Sequence, residues 1–412
     1  MHSEQSMQTT VGNVISFDGI GLHSGRFVRV EIHPAAPNSG IQFRRIDITE
    51  SRQTINAHPD NVEQARLCTR ISNEDGVRLE TVEHIMAAFA GLGIDNAIVQ
   101  IDSGEAPILD GSSLPVVEAI LRAGITTLPV RRRTLVVTAP VSVEHAGGWA
   151  RIEPANGLEI EAEIDFEDSA IGRQSFHYFH GNGSFVRDLA AARTFCQMRD
   201  VEAMQNAGLA LGGSLSNAVV VKDGEILNEG GLRMPREFVR HKILDCLGDL
   251  YLLGMMTRGK VTASRPGHAM CAKLIRTLWN SPACYQIIEE GVASDHSDGY
   301  ALPEVAAAAA AVQAGYPLNT STNASERWPS RLSSRSQLAS FHPTRLRLLS
   351  FLTVTGQRDA PAGKTLVLLE SRLGPSLDLP SFSCDCRSCC FSCRLCLTRL
   401  SRTGRTPGRQ TL

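Results

Sequence analysis

No stretch of this chain is apolar over the roughly 18 residues a membrane-spanning helix needs, so no transmembrane segment is expected. Neither sign of charge is in excess. Lys and Arg number 41 against 43 Asp and Glu, a net charge of −2, which argues against binding to nucleic acid or another polyanion. The opening MHSEQSMQTTVGN lacks the basic-then-apolar layout of a signal peptide, so a cytoplasmic location is expected. No H-E-x-x-H is present, which excludes the one-helix metalloprotease arrangement, and GIGLHSG lacks the G-x-G-x-x-G spacing of a dinucleotide site. A disulfide framework is missing too. Of eleven cysteines, six (Cys384, Cys386, Cys389, Cys390, Cys393 and Cys396) crowd near the C-terminus, and the other five are scattered like free thiols in a reducing compartment.

What is present is enough for two ordinary domains and a tail: 412 residues, 42% hydrophobic, with 35 glycines that supply turns. VGNVISFDGIGLHSGRFVRVEIHPA reads as a hairpin, two β-rich runs joined by GIGLHSG. TVEHIMAAFAGLGI carries Val82, Ile85, Met86, Phe89 and Ala90 at helical spacing, with Gly91 and Gly93 as stop signals. DNAIVQID alternates as a strand and PVVEAILRAG returns to helix. The basic triplet at 131–133 precedes a new β-rich start, TLVVTAPVSVE, and the order then repeats: strands, a helix over SFVRDLAAARTF, the strand NAVVV, and a long helix over 236–254. The predicted organisation is a first domain over 1–130, a second over 131–295 and a low-complexity tail over 296–412. The two halves share element order and length but no residue-level repeat. The tail has thirteen Arg and one Lys from residue 301 on and nothing that would build a core, so it is expected to be disordered or foreign to the native protein.

The long helix holds charges where an apolar stripe would be expected. In VRHKILDCLGD (239–249), His241, Asp245 and Asp249 fall four apart and share one face beside Ile243, Leu244 and Leu247. The plain reading is an i,i+4 pair at a helix surface; the sharper one is that imidazole and carboxylate together hold a metal. A catalytic zinc takes three protein ligands and keeps a fourth position open. Candidates for the third are His84, beside Glu83, whose carboxylate could take a proton from water; His268, on the Pro–Gly turn of SRPGHAM; and His23, in GLHSG. Spacing reaches a mononuclear metal site and leaves that choice open.

Together these segments resemble the bacterial zinc-dependent UDP-3-O-acyl-N-acetylglucosamine deacetylases of lipid A synthesis. The resemblance spans about residues 8–295 and rests on GIGLHSG, PAAPNSGIQFRR, TVEHIMAAFAGLGIDNAIVQID, PILDGSS, ARTF, LNEGGLR, FVRHKILDCLGDLYLLG and GHAMCAKL, in that order. It implies an α+β fold of two similar domains, each a sheet layered with helices, packed helix face to helix face with the active site between them. It implies His84, His241 and Asp245 as ligands of one Zn2+ ion, with Fe2+ as the alternative. Glu83 would be the general base, His268 the protonated partner acid, Asp249 its support, Thr194 an oxyanion donor, Phe195 its apolar neighbour and Lys242 a substrate-binding cation.

The implied substrate is a UDP-linked acylated amino sugar, which loses acetate and leaves a free amine. A same-fold amidohydrolase with another acyl-amide substrate, or a relative that only binds ligand or partner, are the alternatives. A monomer, at most peripheral to the inner membrane, is expected. Ile171, Phe176, Phe179 and Phe185 are candidates to line a passage for the acyl chain, or else core. The sequence departs from the family at Asp168–Ser169, at Cys196, in the lead-in SRPGH, and at Cys271–Ala272, where two asparagines are usual. The last two departures flank His268, so its geometry is the point at which altered activity would be expected.

Overall fold

Strict alternation builds the first sheet. Along the strand Phe27–Pro34, Val28, Val30 and Ile32 are buried while Phe27, Arg29 and Glu31 face out. It pairs antiparallel with Ile15–Ile20, from Ile15 opposite Ile32 to Ile20 opposite Phe27, so the hairpin forms as expected. The five strands run in the order Ile15–Ile20, Phe27–Pro34, Ala97–Ile101, Ile41–Arg45 and Thr54–Asn56. This computed structural model describes residues 6–49, 52–65 and 67–291, and the reading of 296–412 lies outside them. Every described residue falls within one contact unit.

Helix α1 (Glu83–Leu92) is buried over its entire length and ends at Gly93, whose φ of 68° places it in the left-handed region. Gly91 does not stop the helix. It lies inside α1 because the Phe185 ring occupies the space a Cβ would need there. Helix α2 (Leu114–Ala123) follows, and the strands Met7–Val11 and Ile125–Arg131 pair as a separate ribbon. A small three-stranded sheet, Val62–Glu63, Arg70–Ser72 and Arg78–Glu80, brings the chain to the N-terminal end of α1.

The second half builds a seven-stranded sheet centred on Met256–Ser264. That long strand pairs with Arg133–Val137 at one end and with both Gly148–Glu153 and Leu158–Asp165 at the other. The helix expected over SFVRDLAAARTF is much shorter. Helix α3 covers only Ser184–Asp188, Leu189 leaves helical geometry, and Phe195 opens a strand. The reason is tertiary. Leu189 to Ala192 are all buried, and their backbone is drawn into the first half, with Ala190 O accepting from Ser113 N at 3.1 Å.

Helix α4 (Met198–Asn206) is largely exposed. Helix α5 (Glu237–Leu250) is followed by a 3-10 turn over Tyr251–Leu253, close to the expected span. Helix α6 (His268–Trp279) starts at His268 itself. α5 packs against α1, α6 and the strands Leu158–Asp165 and Arg173–Phe179. The protein is thus a mixed α and β structure in which α1 and α5 meet face to face. The approach is close: a Cβ on Gly248 would run into the carbonyl oxygen of Glu83 and lie 3.0 Å from Ala87 N.

Candidate active site

The α1–α5 contact decides which side chains meet. His84 stands in the first turn of α1, and His241 and Asp245 are one turn apart on α5. Asp245 Oδ1 lies 3.5 Å from Nε2 of His84 and 3.3 Å from Nε2 of His241. The three donor atoms lie within 4.8 Å of one another, the one such group of three found among the described residues.

Two observations show that they fit a metal ion. Asp245 Oδ1 is buried and makes no hydrogen bond, a cost that a cation between the three groups would remove. His241 turns Nδ1 to the carbonyl oxygen of Ala192 at 3.0 Å, which leaves the Nε2 lone pair facing the other two donors. Burial drives the His241 imidazole down to about 3, so it is neutral at pH 7, the state a ligand requires. Asp245 is held well below the usual carboxylate range: burial would raise it, but His241 and Lys242 outweigh that. Two imidazoles and a carboxylate form the donor set of mononuclear hydrolytic zinc sites.

Beside this trio stand the proton-transfer groups. Burial raises the pKa of Glu83, one residue before His84. His268, at the head of α6, points Nε2 to within 3.6 Å of Glu83 Oε1 and 3.8 Å of Asp245 Oδ2. Its Nδ1 lies 3.0 Å from Asp249 Oδ2. Burial alone would lower its pKa, but the carboxylates of Asp249 and Glu83 lift it to about 9, so the ring is an acid at neutral pH.

These groups open on a cavity of about 200 Å3 lined by Glu83, His84, Thr194, Phe195, Lys242 and His268, among others. Thr194 is fixed by its own N–H on Gly111 O at 2.8 Å and by its carbonyl, which accepts from Val219 N. Phe195 packs edge-on against Phe166 and Phe238. Lys242 lies against Asp245 Oδ2 at 3.0 Å, with its ammonium 5.7 Å from the Phe195 ring centre. Leu22, Leu67, Ile108, Met204 and Ala210 give the cavity an apolar wall. The four candidates for an acyl-chain passage lie elsewhere. Phe185 and Ile171 are core, Phe176 sits beneath the Arg240 guanidinium, and Phe179 is 54% exposed.

His23 reaches the cavity without joining the three donors. Ala210 N approaches its Nδ1 at 3.4 Å, and its buried Nε2 has no hydrogen-bond partner. Glu105 holds the GIGLHSG turn by accepting from the backbone of His23 at 2.7 Å and Ser24 at 2.8 Å. The sequence reading passed over Glu105 and Thr69, both polar residues in short segments with no periodic signal.

With this geometry in hand, the family profile described as UDP-3-O-acyl N-acetylglycosamine deacetylase (LpxC) matches residues 8–280. The chain belongs to this family. The match covers the whole α1–α5–α6 site. Among similar curated proteins is the UDP-3-O-acyl-N-acetylglucosamine deacetylase of Histophilus somni, 41% identical over 298 residues, which is 72% of this chain and 97% of that one. Those of Methylococcus capsulatus (43%; 71% of this chain, 95% of the relative) and Neisseria meningitidis (40%; 71% and 97%) carry the same name. Members of the family are metalloenzymes, and the buried trio accounts for where this one would hold its ion.

Proposed function

We propose that the chain removes the N-acetyl group from a UDP-linked 3-O-acyl-N-acetylglucosamine, a hydrolysis within lipid A biosynthesis, with one zinc ion as cofactor. The observation that carries the reading is the meeting of His84, His241 and Asp245 within 4.8 Å at the wall of a cavity that Glu83 and His268 share. When bound there, the ion polarises the amide carbonyl and acidifies water, which makes a poor electrophile and a poor nucleophile reactive at neutral pH.

The chain's own groups do the rest. Glu83 takes the proton from the attacking water, and its burial raises its basicity. His268, protonated at pH 7, hands a proton to the departing amine, and Asp249 fixes its ring. The Thr194 hydroxyl and the His268 Nε2–H stabilise the oxyanion. Lys242 and Phe195 contact the substrate, and the apolar wall takes part of the acyl chain. The arrangement supports two similar α+β domains, 1–130 and 131–295, with their helical faces apposed and the site between them. Residues 296–412 have no catalytic role in this reading, and the protein acts as a cytoplasmic monomer, at most peripheral to the inner membrane.

The test is turnover of the acylated substrate by the purified chain, with acetate release and bound metal measured together, the latter also separating zinc from ferrous iron. His241→Ala should lose the metal and nearly all turnover. Wild-type metal content and rate in that variant would remove the ligand assignment. Equal turnover of an unacylated UDP-N-acetylglucosamine would point instead to a broader amidohydrolase.

A further inference from the structure

Thr69 is a residue no motif marks, yet it touches both proton-transfer groups and the carboxylate that supports one of them. It lies just ahead of the strand Arg70–Ser72 and is 3% exposed. Its backbone N–H donates to Glu83 Oε2 at 3.1 Å. Its hydroxyl donates to Asp249 Oδ1 through a short contact, and the same oxygen lies 3.0 Å from His268 Nδ1. Asp249 therefore has each oxygen held by a different partner, Oδ1 by Thr69 and Oδ2 by His268.

We propose that Thr69 is a positioning residue for both proton-transfer groups, its hydroxyl locking the Asp249–His268 pair while its backbone N–H aims Glu83. This rests on the deacetylase reading for its catalytic meaning. A carboxylate held at one oxygen only is free to turn about its Cβ–Cγ bond. The Thr69 hydroxyl removes that freedom, so the His268 Nδ1–H faces a fixed pair of acceptors, Asp249 Oδ2 and Thr69 Oγ1, and Nε2 keeps its aim at the cavity. Water cannot stand in for the hydroxyl. Behind the pair, Thr69, Asp249, His268, Ala272 and Ile275 enclose a gap with no room for a water molecule. The contact also joins the halves of the chain, since Thr69 and Asp249 are 180 residues apart.

The experiment compares Thr69→Val with Thr69→Ser in the full-length metal-loaded chain. Val keeps the shape and the backbone N–H and removes only the hydroxyl; Ser restores it. The expected result is a kcat lower by about 10- to 100-fold in the Val variant, as for loss of one hydrogen bond to a charged group. KM, bound metal and melting temperature should stay near wild type, and Ser should recover most of kcat. Wild-type kcat in the Val variant would overturn the proposal. So would equal losses in Val and Ser, or a loss that tracks metal content or melting temperature.

A second readout needs no turnover: the 15N resonances of the His268 ring in the metal-free full-length chain. The Nδ1–H should be protected in the wild-type and Ser chains and exchange faster in Val; unchanged exchange would also overturn the proposal. If the wild-type chain failed to deacetylate while this signature held, the function would be wrong and the positioning right.

Discussion

Replacing Gly248 with Ala tests whether the two halves of the site are held together by the contact of α1 with α5. The added methyl group would overlap the Glu83 carbonyl oxygen and stand 3.0 Å from Ala87 N, both backbone atoms of a helix buried along its whole length. No side chain is available to swing aside, so the helices must part or tilt by something on the order of 1 Å. Overpacking of this kind costs about 1–3 kcal/mol. For a protein of this size, that lowers the melting temperature by roughly 2–5 °C. The same shift separates His84 on α1 from His241 and Asp245 on α5, and metal sites tolerate errors of only about 0.2 Å. Affinity for zinc should therefore fall at least about tenfold, equivalent to some 1.4 kcal/mol. Chelator competition gives the affinity, and thermal unfolding of the metal-free protein gives the packing cost separately. A variant that bound zinc as tightly as wild type and melted within a degree of it would refute the claim that this approach sets the ligand geometry.

Other expectations follow from single groups. Asp249→Asn should keep its metal but lower kcat by about 100-fold; because the Asp249 charge is the leading cause that lifts His268, the alkaline limb of the pH–rate profile should move to lower pH. In the wild-type chain activity should fall as pH drops through the raised pKa of Glu83 and again as it rises through about 9, where His268 loses its proton. In the metal-free protein, His268 has a folded pKa above its ordinary 6.5, so its stabilising contribution is complete below 6.5 and lost as pH rises through about 9; melting curves of His268→Gln should lack that decline. Arg132→Met would strand the Asp95 carboxylate, now bound by a guanidinium 2.7 Å away whose side chain is 3% exposed, and should cost about 3–5 kcal/mol of stability with zinc affinity unchanged. A chain ending at residue 291 should match the full chain in kcat/KM.

What the sequence made legible was local. The period of two in VRVEI and the four-residue spacing of His241, Asp245 and Asp249 are properties of one element, and the structure repeats them. What could not be read was set by contacts between distant segments. Gly91 is a stop signal by propensity but lies inside α1 because Phe185, nearly a hundred residues on, packs over it. SFVRDLAAARTF has helical composition, yet burial of Leu189 to Ala192 against the first half ends the helix after five residues. Thr69 has no sequence signal at all, because its partners Glu83, Asp249 and His268 come from three different helices.

The residues around His268 that are expected to depart from the family pattern bear on the same point. Cys271 is 5% exposed and lies toward Cys246 on α5; that thiol and burial together push Cys271 far above the ordinary thiol range, which leaves it an inert packing group and not a nucleophile. Cys271 does not line the cavity, while Ala272 lines only the closed gap behind Asp249. Both residues therefore lie on the side of α6 away from the cavity, and the ring of His268 is fixed by Asp249 and Thr69, which border the closed gap together with Ala272. An asparagine at 272 would have to open that gap to set its amide beside the Asp249 carboxylate, whereas Ala272 leaves Thr69 as the donor to its Oδ1. The Ala272→Asn variant should accordingly be less sensitive to loss of the Thr69 hydroxyl than the natural chain. In a double-mutant cycle of Thr69→Val with Ala272→Asn, the amide should recover part of the lost kcat. Strict additivity would mean that position 272 does not share the support of Asp249.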